Sequence, residues 1–420
     1  MIGSRGSGDE RVDVQPGGAT GVADGDPFEE FNRAMGAEGD ASPYPGFVEA
    51  RAAGAVHGSG VEVADGWDSA GAVYTAYSFE AVQRILTDGE TFSSGGYGDI
   101  MGVVMGRSIL EMDEPEHHTY RSILQQAFTR GEMARWETEL VAPLVHGMID
   151  QFAEEGRADL VRQLLFPFPV AVIAALLGLP AEDLPEFHRL AVELIGVTVD
   201  WDRALASSAK LRDYFSGIVA DRRVHPADDM ISVLATAEQD GQHLTDEEIY
   251  AFLRLLLPAG AETTYRSSSN LLFGLLTHGD QLDALRADRA LMSQAIEEGL
   301  RWEPPLLLIA RSATRDAEVC GTAIPEGSSV LVMLGSANHD ETRWPEPERF
   351  DIFRERRPHA AFAYGPHMCL GLHLARMETQ VVVNALFDRL PGLRLDPTAG
   401  DPYISGSVFR APPRLEVAWD

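Results

Sequence analysis

The chain is short of positive charge, nearly free of cysteine and without a long apolar run. Lysine and arginine together number 34 against 65 aspartates and glutamates, a formal net charge of −31. Lysine occurs once, at Lys210, so any basic patch must be built from arginine. This deficit argues against duplex nucleic acid, which is held by Lys and Arg on phosphates, and against an anionic membrane surface. Two cysteines, Cys320 and Cys369, are too few for a four-cysteine zinc site or a secreted disulfide framework. No apolar run reaches the roughly 20 residues of a bilayer helix, and the opening residues lack the apolar centre of a signal peptide. The expectation is a cytoplasmic protein with no nucleic-acid and no membrane partner.

What is present is ordinary globular material, 45 % hydrophobic over 420 residues, enough for a large core. Residues 1–27 are rich in Gly and Asp and predict a disordered tail. Residues 28–420 predict one large domain, mainly α with a minor β region. Short strands are expected near Val61 and over 74–78, and an amphipathic helix over 78–88. Residues 91–110 are too Gly-rich for a stable element and read as a functional loop. Residues 114–129 open with acids and a proline, as a helix N-terminus does. Helical periodicity returns through 136–156, 168–178, 182–196 and 203–222. Thr245 and Glu248 form a capping-box pattern ahead of a very long helix, about 246–278. A further helix over 280–303 stops at Glu303-Pro304-Pro305. Hairpins are expected over 307–335, with turns at Cys320-Gly321 and Glu326-Gly327. Residues 340–368 have little periodicity, and 370–390 predicts the last long helix.

Four segments carry candidate chemistry. In FAYGPHMCLGLHLAR (362–376) a cysteine stands between a Gly/Pro-containing loop and a helix. The unpaired N–H groups of a helix N-terminus favour a thiolate. Taken bare, such a cysteine is more often a buried small hydrophobe. In EEGLRW (297–302), Glu298 and Arg301 share a helix face. In LLLPAGAETTYRSSSN (255–270), Pro258 removes an intrahelical donor and predicts a local opening of the long helix. The bland reading there is a kinked core helix with a back-bonding threonine. In MDEPEHHTYRSIL (112–124), His117 and Arg121 lie on one helix face.

The first of these strings resembles the haem-binding loop of the cytochrome P450 superfamily, Phe-Gly-x-Gly-x-His-x-Cys-x-Gly, matched by Phe362, Gly365, His367, Cys369 and Gly371. Ala363 departs from it, standing where the family usually has Gly. The resemblance makes Cys369 the axial thiolate of haem b iron, with Phe362 shielding the sulfur; such a ligand favours O–O cleavage. The glycines would let the backbone approach the haem. The Glu-x-x-Arg pair resembles the family's structural cluster, with Arg349 of Pro347-Glu348-Arg349-Phe350 as its third member. The kinked segment resembles the family's oxygen-binding groove through Ala259, Gly260, Glu262, Thr263 and Thr264. There Gly260 would leave room for O2, and Thr263 and Glu262 would relay protons. His117, Arg121, Arg311 and His367 would hold the haem propionates.

These matches run in order from about residue 70 to the C-terminus and imply the family's mainly helical fold. They imply a monooxygenase that inserts one oxygen atom from O2 into an apolar small molecule. No Gly-x-Gly-x-x-Gly or Walker segment is present, so electrons from NAD(P)H must come through external partners, a ferredoxin or flavodoxin with its reductase. Docking is expected at Arg354, Arg356, Arg357 and Arg376. The resemblance lines the substrate pocket with Val103 and Val104, Ala259, Leu307 and Ile309, and Val408 and Phe409. Two alternatives stand beside this reading: a peroxide-driven variant, and a non-catalytic haem-thiolate sensor or carrier.

Overall fold

The long helix organises the rest. Its predicted cap forms in both directions: Thr245 Oγ1 accepts from the Glu248 N–H at 3.3 Å, and the Glu248 carboxylate accepts from the Thr245 N–H at 2.7 Å. Asp246–Leu256 is regular α-helix, Leu257–Glu262 is a π turn, and Thr263–Thr277 is α-helix again. Pro258 has no N–H for the Arg254 carbonyl, so the ladder slips by one residue where the opening was expected. Leu271, Leu272 and Leu275 are buried to within 1 %. This half of the helix packs against Met292–Trp302 and Leu372–Arg389. The structure is a computed structural model and describes residues 42–59, 72–99, 101–198 and 200–420. The predicted 1–27 tail and the strand near Val61 lie outside the described residues.

Most other predicted elements form within a few residues of their expected bounds. Ser78 caps Phe79–Thr87, whose Phe79, Val82, Ile85 and Leu86 face inward. The β region is a five-stranded sheet with spatial order Val56–Ser59, Val73–Ala76, Ser329–Met333, Leu308–Ala313, Phe92–Ser93. Ser329–Met333 runs parallel to Val73–Ala76 and antiparallel to Leu308–Ala313. Cys320 and Gly321, at φ 49° and 82°, make the tight turn between Ala317–Val319 and Thr322–Ile324.

Two expected elements are corrected. The 91–110 segment is not one loop: it holds the strand Phe92–Ser93, a 3₁₀ turn Gly95–Asp99 and the short helix Met101–Met105. Pairing with Leu308–Ala313 and burial of Val104 and Met105 outweigh its glycine content. The 280–303 helix breaks at Asp288 into Gly279–Ala287 and Met292–Trp302, with the Asp288 carboxylate accepting from the Ala290 N–H at 3.0 Å.

Residues 340–371 contain no helix or strand, yet they carry the cysteine loop. They are held by buried charge. Arg301 donates two bonds to Glu298, each 2.8 Å, and further bonds to the carbonyls of Asn338, Pro347 and Arg349. Glu298 Oε1 also accepts from the Asp351 N–H at 2.9 Å and from Arg354 Nε at 3.2 Å. Arg354, not Arg349, is therefore the third member of the cluster. The Arg349 side chain is 60 % exposed and gives only its carbonyl, whereas that of Arg354 is 11 % exposed. A buried carboxylate is tolerated only when its lone pairs are used, and the backbone turn after Phe350 brings Arg354 to the remaining one.

Glu298→Ala, which strands two guanidinium groups, should cost about 3–5 kcal/mol. Arg354→Met should fall toward that range, while Arg349→Met should stay within about 0.5 kcal/mol. Urea unfolding of the three variants checks the assignment, and equal losses at Arg349 and Arg354 would restore Arg349 to the cluster.

Candidate active site

The cysteine loop is shaped by its own backbone. The Cys369 N–H donates to the Phe362 carbonyl at 2.9 Å, and the Met368 N–H to the Gly365 carbonyl at 3.1 Å. Gly365 has φ +72°, and a Cβ there would stand 2.1 Å from the Leu86 carbonyl oxygen. The close approach that requires this glycine is thus to the Phe79–Thr87 helix, not to a ligand. Gly371 differs: it precedes Leu372–Arg389, and a Cβ on it would meet nothing within 4 Å. Ala363 adopts φ +58°. The turn keeps the left-handed geometry a glycine would adopt freely, and alanine bears the strain.

Cys369 has no disulfide partner. Burial pushes its thiol up, while the Gly371 N–H, Arg121 and Arg376 pull it down. Arg121 also donates to the Met368 carbonyl at 2.6 Å. Phe362 lies beneath the Arg376 guanidinium, 4.5 Å from its ring centre.

The four predicted cations converge. The rings of His117 and His367 lie 4.1 Å apart. Burial pushes His367 down to about 3, and His117, Arg311 and Arg121 push the same way. His117 is 1 % exposed, pushed down by burial, and its Nε2 has no hydrogen-bond partner among the described residues. Arg311 is 6 % exposed, donates to the Ala310 carbonyl at 2.7 Å, and forms no ion pair with a described carboxylate. Tyr97, absent from the expected set, sits on it: its hydroxyl accepts from the Ala310 N–H at 2.9 Å and bonds Arg311. A lone tyrosine inside a glycine-rich loop was the available signal.

The opened helix carries the remaining groups. Ala259 is exposed within the π turn, and Thr263 Oγ1 donates to the Ala259 carbonyl at 2.8 Å. Gly260 does not face the same space. A Cβ there would meet Ile173 at 3.3 Å, so this glycine serves helix packing. Glu262 is 2 % exposed and ion-paired with Arg266, while its Oε2 has no partner among the described residues. Burial pushes its carboxyl up, against the pull of Arg266. One helical position further, Thr264 bonds Glu378, a buried carboxyl pushed up to about 8 by burial.

The predicted pocket residues divide. Val104 is buried and Val103 is 59 % exposed. Leu307 is fully buried in a cluster with Tyr44, Phe47 and Met333, while Leu306 forms a backbone bridge to Phe409. Leu307 therefore belongs to that cluster and not to the pocket, whereas Ile309 packs on a different one. Ile309, Val408 and Phe409 are half-buried. The expected docking arginines are also reduced. Arg354 is internal, and Arg376 is held by Glu297 at 2.6 and 2.9 Å. Arg357 donates to the Arg343 carbonyl and to Glu355.

A sequence profile described as Cytochrome P450 matches residues 206–394. Cytochrome P450 monooxygenase PikC of Streptomyces venezuelae is 35 % identical over 399 residues, covering 92 % of this chain and 93 % of its own. The chain belongs to the cytochrome P450 family. The steroid C26-monooxygenase of Mycobacterium tuberculosis is 37 % identical, covering 68 % of this chain and 78 % of its own. Cytochrome P450 CYP109Q5 from Chondromyces apiculatus superposes with a TM-score of 0.83 at 32 % identity, covering 92 % of this chain and 97 % of that one. The chain is accordingly a haem-thiolate monooxygenase of the mainly helical P450 fold. The non-catalytic and peroxide-driven alternatives are not favoured. No described helix is long and apolar enough to cross a membrane.

Membership in the family implies a haem, and this chain's residues fit one. Cys369 is a free cysteine and could supply a thiolate to the iron. An open side at Gly371, an orphaned imidazole nitrogen on His117 and a buried Arg311 without a carboxylate suit a flat dianionic group.

Reduced protein under CO should show the red-shifted Soret band of thiolate-ligated haem. Cys369→Ser should abolish it, Cys320→Ser should not, and the reverse pattern would displace Cys369 as ligand. Ala363→Gly, relieving left-handed strain, should raise stability by about 0.5–1 kcal/mol after the glycine entropy cost. A lower melting temperature would mean that the methyl group packs usefully.

Proposed function

We propose that the chain oxidises an apolar small molecule lying along the Ala259–Thr263 face, at a C–H or C=C bond. Cys369 is its haem ligand, and Thr263 and Glu262 handle protons. The haem, when bound, supplies O2 activation. The observation that carries the reading is the π turn, which exposes Ala259 beside the Thr263 hydroxyl while Glu262, next in sequence, keeps one carboxylate oxygen without a partner.

The Thr263 hydroxyl, already committed as donor to the Ala259 carbonyl, has lone pairs left to accept from water and can switch donor direction. Glu262 is the adjacent store. Burial favours its protonated form and Arg266 its ionised form, so small movements of that pair shift a proton. His117, Arg121, Arg311 and His367 orient the cofactor's anionic edge. Val104, Ile309, Val408 and Phe409 supply an apolar wall that excludes water, and Val103 completes it at the loop edge. An apolar substrate agrees with that wall and with a relative named for steroid oxidation.

Electrons come from NAD(P)H through a ferredoxin or flavodoxin and its reductase, in the cytoplasm. The chain carries no nucleotide-binding motif of its own, and its two cysteines are free thiols. Of the expected docking arginines, Arg356, exposed and with no ion pair among the described residues, remains.

With a reconstituted reductase chain, Thr263→Ala should keep consuming NAD(P)H while product per NAD(P)H falls several-fold and hydrogen peroxide rises. Glu262→Gln should slow turnover by about 10²-fold. Full coupling in Thr263→Ala would remove the opened segment from proton handling.

A further inference from the structure

Five arginines are buried among the described residues: Arg254, Arg266, Arg301, Arg311 and Arg410. Three have a carboxylate, namely Glu262 for Arg266, Glu298 for Arg301 and Glu303 for Arg410. Arg311 has none, and the reading above gives it an anion from outside the chain. Arg254 is the other exception.

Arg254 is 7 % exposed. Its Nε donates to the Tyr250 carbonyl at 3.1 Å and its Nη1 to Ser208 Oγ at 3.0 Å. Both acceptors are neutral, and no described residue accepts from Nη2. Of the charged groups that act on it, Glu247 is bonded to Arg212 at the surface, and Arg212 itself is repulsive. Guanidinium stays protonated even where burial opposes it. A buried charge lacking a counter-ion is costly, and the other buried arginines indicate how this fold avoids that cost.

The position is specific. Ser208, on Trp201–Val224, also donates to the Val104 carbonyl, so Arg254, Ser208 and the 101–106 segment form one unit. A Cβ on Gly106 would lie 2.9 Å from Arg254 Nη2, which places that nitrogen directly under the loop. Arg254 precedes Ala259 on the central helix, and at about 1.5 Å per residue its Cα is some 13 Å along the axis from Thr263.

We propose that Arg254 anchors a carboxylate on the substrate, so that the pocket selects an elongated apolar molecule with one anionic end. The carboxylate would meet Nη2 beneath Gly106, and the apolar remainder would extend along the groove toward Thr263. A single guanidinium among neutral groups matches one negative charge, which favours a carboxylate over a phosphate dianion. The proposal rests on the reading that the substrate occupies the Ala259–Thr263 face.

The test uses haem-loaded protein whose CO-bound Soret band has been recorded. Dodecanoate and methyl dodecanoate are titrated by ferric spin shift and, independently of the haem, by calorimetry. Wild type should bind the acid at least about tenfold more tightly than the ester. Arg254→Met should bring acid affinity down to that of the ester with ester affinity held, and Arg254→Lys should keep part of the preference. Without ligand, Arg254→Met should melt no lower than wild type, because it removes an unpaired buried charge. Acid and ester binding alike in wild type, no acid binding up to millimolar concentration, or a preference that survives Arg254→Met would each overturn the proposal. So would a lower melting temperature with loss of both ligands, which would assign Arg254 to the core. A missing CO band would instead be a failure of the haem reading, and the calorimetric comparison would still decide this one.

Discussion

The Glu298 carboxylate is the constraint on which the cysteine loop depends. It is buried on Met292–Trp302 and takes bonds from Arg301, Arg354 and the Asp351 N–H. Through those arginines it fixes backbone carbonyls at Asn338, Pro345, Glu346, Pro347 and Arg349. A segment with no ladder of its own thereby acquires one fixed path. Gln281 adds two bonds, to the Phe350 carbonyl and from the Ile352 N–H, and Asn338 Oδ1 receives the Ala360 N–H. The loop that follows inherits this rigidity, which lets Ala363 persist in a left-handed conformation that a free alanine would leave.

On the other side of the site the helix is opened rather than braced. Pro258 deletes a donor, the π turn absorbs the slip, and the Thr263 hydroxyl turns back on the Ala259 carbonyl. The two regions differ in a way that agrees with the roles proposed for them. By our proposal the cysteine side holds a ligand in place, and its braced backbone suits that role. By the same proposal the helix side handles protons, for which spare lone pairs are needed. The buried Glu262–Arg266 pair sits at the opening, and Glu378 is bonded to the next residue, Thr264.

Charge explains how a chain with a net charge of −31 provides for an anionic cofactor and, by our proposal, an anionic substrate. Most surface arginines among the described residues are spent on carboxylates, within one helix, as Arg189 with Glu186, or between helices, as Arg212 with Glu247. Buried arginines are few, and by our proposals the two without a carboxylate among the described residues, Arg254 and Arg311, each take an anion from outside the chain.

Most helices, the capping box at Thr245, the position of the helix opening and the cysteine loop could be read from the order of residues alone, because each follows from local stereochemistry or from a short ordered motif. The break at Asp288 and the short elements within 91–110 were not legible. Asp288 caps a turn inside an otherwise periodic stretch, and the Gly-rich segment is ordered by strand pairing and by burial of Val104 and Met105. Tertiary structure alone decided that Arg354 rather than Arg349 completes the charge cluster, that Leu307 faces the Tyr44 core, and that Gly260 packs on Ile173. Two arginines five residues apart present the same letter to a reader of sequence. Which one is buried depends on a turn after Phe350 whose shape is set by Glu298, on a different helix and some fifty residues earlier in the chain. A carboxylate so distant in sequence leaves no periodicity behind, so pairing of this kind can be read only where the chain has already folded.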